Sequence, residues 1–320
     1  MRYTEIPGTD LKPSVICMGG GPLCREDGDK AVWELLDTFY ALGGNIIDSA
    51  NVYGKWLPGG RNACDANIGK WLKRTGLRGK VIVASKGAHP PLADMGKPRL
   101  KKADVEADLD ESLRALGTDA IDLYYLHRDD TAVPVRTIVD YLNDFARRGK
   151  IRYFGASNWA PERIAEAQRY AEQTGQAGFA ANQLMWSLAV PDAAALPDPL
   201  MECMGEKAMR YHRESGMAAF AYESQARGLF QKYAESGSVP QALQKVYHSP
   251  ENGGRCARAA SLARDLGVKI GDVSLGYVLC QPFPSVAIIG GHTPEQLRDS
   301  ATAADICLTE AKKEFLEGGL

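Results

Sequence analysis

An aspartate, a lysine and a histidine each follow directly on a short apolar run: Asp48 after residues 45–47, Lys86 after residues 81–85, and His127 after residues 121–126. Tyr53 lies five residues beyond Asp48, close enough for a one-turn loop to swing its phenol toward the same place. Taken singly, each is also what a capping or salt-bridging residue looks like. Taken together, they hold the parts of a proton-donating site. A free tyrosine has a pKa of about 10 and is a weak acid at neutral pH, but an adjacent ammonium stabilises its phenolate and lowers that value. Lys86 is the candidate ammonium, and Asp48 keeps it charged and oriented. His127 donates a hydrogen bond to an oxygen on which negative charge develops. Such a set fits delivery of a proton to a carbonyl oxygen while hydride arrives at its carbon.

These residues meet only if the apolar runs are strands whose ends share one rim. The chain alternates short apolar runs with longer amphipathic stretches. Val105, Leu109 and Leu113 share a helical face, Gly117 ends that helix, and residues 121–126 follow as a strand. Ile138, Tyr141, Leu142 and Phe145 repeat the helical spacing, Arg147 and Arg148 fill a basic last turn, and Gly149 precedes a strand at residues 151–155. Residues 15–18, 45–47, 81–85, 179–182, 217–221 and 285–289 bring the strands to eight. Eight strands alternating with helices predict a closed (β/α)8 TIM barrel, because closure protects every parallel strand and asks for no separate substrate domain. Active sites of this architecture are built where the strand ends meet. Asn158 and Gln183, at the ends of the fifth and sixth runs, join that rim.

No linker divides the chain, so residues 1–320 are expected to form one barrel domain. Pro7-Gly8-Thr9-Asp10 marks an N-terminal β-hairpin that closes the barrel bottom. Residues 57–60 and 249–254 read as parts of long βα loops, and residues 228–255 as an excursion with a short helix of its own.

Composition narrows the partner. A net charge of −2, from 38 basic and 40 acidic residues, leaves no electrostatic footprint for nucleic acid or an anionic membrane. A small molecule is the expected partner, a carbonyl or alcohol if the four residues act as described, and the oligomeric state is left open. Seven dispersed cysteines without a C-x-x-C pair read as reduced thiols in a cytosol. The first residues lack an apolar signal segment and no window approaches the ~18 apolar residues of a membrane span, so the protein is expected to be cytoplasmic.

Over nearly its whole length the chain resembles the aldo-keto reductase superfamily. The resemblance rests on residues 48–54 (Asp-Ser-Ala-Asn-Val-Tyr-Gly), Ser85-Lys86, residues 110–117 (Asp-Glu-Ser-Leu-Arg-Ala-Leu-Gly) and residues 121–127 (Ile-Asp-Leu-Tyr-Tyr-Leu-His). Residues 155–158 (Gly-Ala-Ser-Asn) and 293–297 (Thr-Pro-Glu-Gln-Leu) extend it. It implies NAD(P)H-dependent reduction of an aldehyde or ketone, with Tyr53 as general acid, Lys86 and Asp48 tuning it, and His127 orienting the carbonyl. It implies further that Ser157, Asn158 and Gln183 hold the nicotinamide carboxamide, that Tyr222 stacks on the ring, and that Asp48 and Gly20 border it. Glu223, Gln225, Arg227 and Gly228 continue the implied cofactor groove, Glu223 standing where the family has a small hydroxyl residue near the pyrophosphate. Gly290, Gly291, His292, Gln296 and Ser300 complete it. Thr293 as N-cap and Pro294 at the first helical position give that end a helix start suited to a phosphate. Relatives that prefer NADPH usually place Lys or Arg there, so NADP(H) and NAD(H) are both candidate cofactors, with Arg227 or Arg298 within reach.

Trp56, Trp159 and Trp186 each follow a strand-end motif. They read either as packing between loops or as substrate-facing walls whose flat faces suit a sugar or cyclic polyol. Where the family has a bulky aromatic, Gly19-Gly20-Gly21-Pro22 implies a roomier pocket. His89, His212 and His248 read as surface or loop residues. Two other classes are weighed. One is a catalytically silent barrel that senses cofactor or scaffolds a partner protein, against which the intact set of four counts. The other is a metal-assisted lyase or hydrolase using His127 with Asp48; no further ligand stands at suitable spacing and Lys86 repels a cation, so no metal site is expected.

Overall fold

The computed structural model describes residues 1–25 and 29–319. Eight parallel strands close into a barrel in chain order, with β8 returning to pair with β1. They are β1 (Ile16–Gly19), β2 (Ile46–Asp48), β3 (Ile82–Gly87), β4 (Ile121–Leu126), β5 (Ile151–Ser157), β6 (Ala181–Met185), β7 (Ala218–Tyr222) and β8 (Ser285–Ile289). The crossovers up to β7 are α1 (Asp29–Ala41), α2 (Ala63–Thr75), α3 (Lys102–Leu116), α4 (Val135–Arg147), α5 (Pro161–Thr174) and α6 (Glu206–Ser215). Between β7 and β8 run α7 (Leu229–Ser236), α8 (Gln241–Tyr247), α9 (Pro250–Leu266) and α10 (Ile270–Leu279), and α11 (Pro294–Ala301) and α12 (Glu310–Glu317) follow β8.

Local sequence fixes these elements. Asn62 caps α2 by accepting from the Asp65 backbone N–H, Lys73 and Arg74 lie at its negative end, and Gly76 stops it with a φ of 69°. Gly117 ends α3 in the same left-handed conformation. On α4, Ile138, Tyr141, Leu142 and Phe145 are all buried, the face that the helical spacing predicts.

Along each strand, side chains alternate between the lumen and the helix layer. Ile46, Ala84, Leu123, Ala181, Ala218 and Val286 fill the lumen, whereas Ile47, Val83, Tyr124 and Ala219 pack beneath the helices. Tyr125 and Phe220 meet edge to face within the lumen at 5.9 Å. A Cβ on Gly155 would stand 2.6 Å from the Tyr125 ring, so glycine on β5 lets that ring lie flat across the barrel. The same alternation, carried two residues further, places Asp48 above Ile46, Lys86 above Ala84, Gln183 above Ala181 and Tyr222 above Phe220. The uppermost inward layer is therefore polar.

At the other end, Ile6 and Leu11 join the lumen cluster and plug the barrel. They come from the N-terminal turn, whose arms are held by Thr4 N–H to the Pro13 carbonyl at 2.9 Å and by a single Tyr3–Ser14 bridge rather than by two regular strands. Arg152 fastens this turn to the barrel, reaching Asp10 at 2.7 Å and Asp122 at 3.0 Å.

The excursion after β7 holds two short helices, α7 and α8, where the sequence suggests one. Residues 249–254 are the start of α9, not a loop. Ser249 accepts from Asn252 N–H at 3.1 Å and Pro250 opens the helix; together they override Gly253 and Gly254, each of which costs about 1 kcal/mol in a helix. Among the described residues, no helix is long and apolar enough to cross a membrane.

Candidate active site

Lys86 is the centre of the polar layer and is fully buried. Its ammonium donates to the Asp48 carboxylate at 2.6 Å, to the Ser49 carbonyl at 2.8 Å and to the Tyr53 hydroxyl at 3.3 Å. These satisfy all three of its N–H groups. The second Asp48 oxygen accepts from Gln183 Nε2 at 2.9 Å. Burial alone would push protons off Lys86, but Asp48 and Tyr53 outweigh it and raise its pKa. Linkage gives the sign: with the folded value above the unfolded one, this pair stabilises the fold fully below pH about 10.5 and loses its effect only as pH rises through the folded value.

Tyr53 reaches the layer because its loop is pinned to β3. The Ser49 and Asn51 N–H groups donate to the carbonyls of Ala84 and Lys86, each at 2.8 Å. Burial raises the Tyr53 phenol above its ordinary pKa, Lys86 pulls it down, and Asp48 pushes it up again. The sequence-based expectation of a lowered phenol is thus reversed, because desolvation of the phenolate exceeds the attraction of an ammonium already paired to a carboxylate. The His127 ring stands 5.8 Å from that of Tyr53. Burial, then the charges of Arg128 and Lys86, hold His127 well below its usual range, so its imidazole is neutral at pH 7. His127 Nδ1 is buried with no partner among the described residues. Leaving a lone pair there and the proton on Nε2 is the cheaper tautomer, since an unmade N–H donation is the larger loss.

One cavity of about 920 Å³ opens above this layer. Asp48, Tyr53 and His127 line it, while Lys86 sits behind them. Gly20, Ser157, Asn158, Gln183, Tyr222 and Glu223 line the same cavity, as do Gln225, Arg227, Gly228, Gly290, Gly291, His292, Gln296 and Ser300. The groove therefore runs unbroken from Tyr53 to the start of α11. Thr293 caps that helix, accepting from Gln296 N–H at 3.3 Å. A Cβ on Gly290 would meet nothing within 4 Å, so a ligand can lie against bare backbone there. In size, shape and end groups the cavity fits an extended dinucleotide.

Asn158 adopts a φ of 59°, its amide oxygen accepting from Tyr222 Oη at 2.6 Å and its amide nitrogen donating to the His127 carbonyl at 3.2 Å. Glu223 has a partner that accounts for its charge: Arg227, four residues on, donates through Nε to both carboxylate oxygens at 3.1 and 3.2 Å. Glu223, Ala226 and Arg227 all have positive φ, so the rim after β7 is a strained turn. Arg298 does not reach the cavity and pairs with Glu295 at 3.3 Å.

Of the three tryptophans, only Trp56 lines the cavity, and it is 54% exposed. Trp159 is buried against Phe179 at 5.1 Å, because the left-handed turn at Asn158 directs the next side chain into the helix layer. Trp186 is buried against Phe283 and Tyr277. The expectation that these two face a substrate is corrected to packing. Gly19, Gly20, Gly21 and Pro22 do border the cavity.

Sequence reasoning missed His89, Leu92 and Arg128, which also line the cavity. His89 is not an ordinary loop residue: its ring lies 4.8 Å from that of His127, and its Nδ1 is 2.7 Å from the Pro90 carbonyl. It is presented by a left-handed Ala88, whose N–H donates to Asp108 while Arg99 grips the same carboxylate through two nitrogens. Its position three residues beyond Lys86 on the same βα loop was the available signal. Arg128 is buried and held by Asp198 at 2.6 Å. His212 is also buried, against the Met217 carbonyl at 2.8 Å, and is a core residue. Among the described residues, no cluster of His, Cys, Asp or Glu is arranged to hold a metal ion.

Known proteins resemble this chain over its length. A Bacillus subtilis protein named as an uncharacterized oxidoreductase, YrpG, is 29% identical over 316 residues, covering 96% of this chain and 92% of that one. An aryl-alcohol dehydrogenase [NADP(+)] of Phanerodontia chrysosporium is 28% identical over 350 residues, covering 98% and 85%. The crystal structure of a thermostable aldo-keto reductase, Tm1743, shares the fold with a TM-score of 0.74 at 22% identity and covers 99% of both chains. With the sequence profile of the Aldo/keto reductase family matching residues 16–316, almost the whole length around the barrel and its polar rim, the chain belongs to that family of oxidoreductases.

Proposed function

We propose that the protein is an NAD(P)H-dependent reductase of aldehydes or ketones, with Tyr53 as proton donor. The observation that carries this reading is the single ammonium of Lys86 bonded at once to Asp48 and Tyr53 beneath a cavity lined by His127. Ser157, Asn158, Gln183 and Tyr222 hold the nicotinamide end, and Gly290, His292, Gln296 and the start of α11 hold the adenosine end. The bound reduced nicotinamide supplies a hydride to the carbonyl carbon. His127 Nε2 donates to the carbonyl oxygen and orients it, and Tyr53 Oη transfers its proton to that oxygen. Lys86 then stabilises the phenolate so formed, which is where the ammonium acts, since the resting phenol is held protonated. Solvent returns the proton to Tyr53 through the open mouth.

The substrate proposed is a carbonyl compound with one flat ring, an aromatic aldehyde before a sugar. With Trp159 and Trp186 packed away, a sugar would meet one aromatic face instead of three, whereas Trp56 and Leu92 offer an apolar lip to a ring. The names of the aryl-alcohol dehydrogenase relatives support this choice.

Two measurements test the reading. Titration with NADPH and NADH, followed by tryptophan fluorescence at fixed ionic strength, is expected to show saturable binding of both. Their affinities should lie within about tenfold, or 1.4 kcal/mol. His292, Gln296 and the Asp299 carboxylate line the adenosine end, and the cations of the cavity are already engaged: Arg227 by Glu223, Lys232 by the Arg227 carbonyl and Arg128 by Asp198. No binding of either nucleotide would remove the catalytic assignment. The second is a pH profile. Tyr53 is held above about 10 and His127 below about 6.5, so turnover in the reducing direction should be level from about pH 7 to 9 and fall only as the phenol ionises above that range. An inflection near pH 8 would mean that neither group has the environment described.

A further inference from the structure

Two thiols lie directly behind the wall that Gly20 contributes to the cavity. Cys24 follows the short turn after β1 and is half-buried; Cys64 is the second residue of α2 and is fully buried. Both donate to one acceptor, the Gly20 carbonyl, Cys24 Sγ at 3.2 Å and Cys64 Sγ at 3.4 Å. Sharing one acceptor oxygen brings the two sulfurs into the same small space. The packing leaves no slack: a Cβ on Gly20 would stand 2.7 Å from Cys64 Sγ, 2.8 Å from the Asp48 carbonyl and 2.9 Å from Tyr53 Cδ2. The Cys64 backbone N–H in turn holds the Tyr53 carbonyl at 3.2 Å. This dithiol therefore touches both the cavity wall and the segment that carries the phenol.

We propose that Cys24 and Cys64 are an oxidation site, converted by hydrogen peroxide to a disulfide that slows turnover until a thiol reduces it. The two sulfurs take unlike parts. Cys24, the half-exposed one, attacks a peroxide oxygen; the O–O bond breaks, Cys24 becomes a sulfenic acid and water leaves. Cys64, whose burial keeps it protonated and unreactive toward solvent, loses its proton as its sulfur attacks Cys24 Sγ. The S–S bond forms, the S–O bond breaks, and the hydroxyl leaves as a second water. Two electrons pass from the sulfurs to the peroxide, and dithiothreitol returns them by exchange.

The geometry gives the consequence. A disulfide needs a sulfur separation of about 2.05 Å, so the two side chains must swing away from the oxygen they share and toward each other. Neither sulfur then carries a proton, and the Gly20 carbonyl loses both donors. Because Gly20 and Tyr53 are packed against Cys64, the closure shifts the cavity wall and the phenol. A displacement on the order of 1 Å in reacting groups costs about a hundredfold in rate, and that is the loss expected here. The effect on rate rests on the reading of Tyr53 given above; the cross-link itself does not.

The test is peroxide titration of the pre-reduced protein, with peptide mass spectrometry under non-reducing conditions alongside activity and NADPH binding. A Cys24–Cys64 linked peptide, a loss of turnover in step with it, and recovery on adding dithiothreitol are expected. Cys24→Ser should keep turnover before peroxide and resist the loss afterwards. The exposed Cys307 serves as the control for peroxide reaching the protein. Oxidised Cys307 with no Cys24–Cys64 link overturns the site, and a complete link with unchanged turnover overturns its control of the reaction. If the untreated protein reduces no carbonyl, the assigned function fails while the linked peptide still decides the dithiol.

Discussion

Replacing Tyr53 by phenylalanine is expected to lower turnover by roughly 10²–10⁴-fold, the range of positioned acid catalysis, with nucleotide affinity unchanged. The substitution removes one oxygen. The ring stays, and with it the edge contact to His127 and the packing of the loop against β3. Lys86 loses one of its three acceptors but keeps Asp48 and the Ser49 carbonyl, so the buried ammonium is still neutralised. The unmade N–H donation costs about 1–3 kcal/mol, which a domain of this size survives. Steady-state rates measured with NADPH and an aromatic aldehyde, beside a fluorescence titration of the nucleotide, separate the two quantities. A variant that turns over at the parent rate would mean that the proton comes from another group.

Asp48→Asn is expected to act on the fold itself, by about 3–5 kcal/mol at pH 7, the cost of leaving one member of a buried ion pair without its partner. Lys86 is fully buried and Asp48 nearly so, and among the described residues no other carboxylate bonds to the ammonium. In the variant, burial is opposed only by the neutral acceptors Ser49 carbonyl and Tyr53 hydroxyl, and is expected to lower the lysine's folded pKa below its unfolded value of about 10.5. Raising the pH toward that value then favours the variant, because a neutral amine is easier to bury. The deficit should therefore shrink between pH 7 and pH 10, as read by chemical denaturation at each pH. A deficit below about 1 kcal/mol at pH 7 would mean that Lys86 is not charged within the folded barrel.

Much of this arrangement was legible because the barrel converts sequence periodicity into depth. A residue one step past an apolar run is the next to face inward, so Asp48, Lys86, His127 and Gln183 could be placed at one rim from their positions alone. Strand ends themselves shifted by a residue or two, as with β3, which runs through Lys86 to Gly87. What failed was direction after the strand. Nothing in Asn158-Trp159 announces that Asn158 turns left-handed and sends the indole into the helix layer. Conversely, His89 enters the cavity by a left-handed Ala88, a conformation that alanine rarely adopts and that Asp108, twenty residues on, helps to hold. The Glu223–Arg227 pair was not legible either, since the two meet across a turn of positive-φ residues and not along a helix. Nor was the phenol's shift, because it depends on how much water the fold removes.

The plug of Ile6 and Leu11 bears on which molecules can be accommodated. With the barrel stopped below, the proposed reaction would place the reacting carbon at the end of a blind passage. Width and length then face different constraints. Branching beside the carbonyl meets Val52, Tyr53 and His127, which line the depth. Extension away from it passes Trp56 and Leu92, both exposed to solvent. Such a passage sorts compounds by girth near the reacting end and is indifferent to what trails behind.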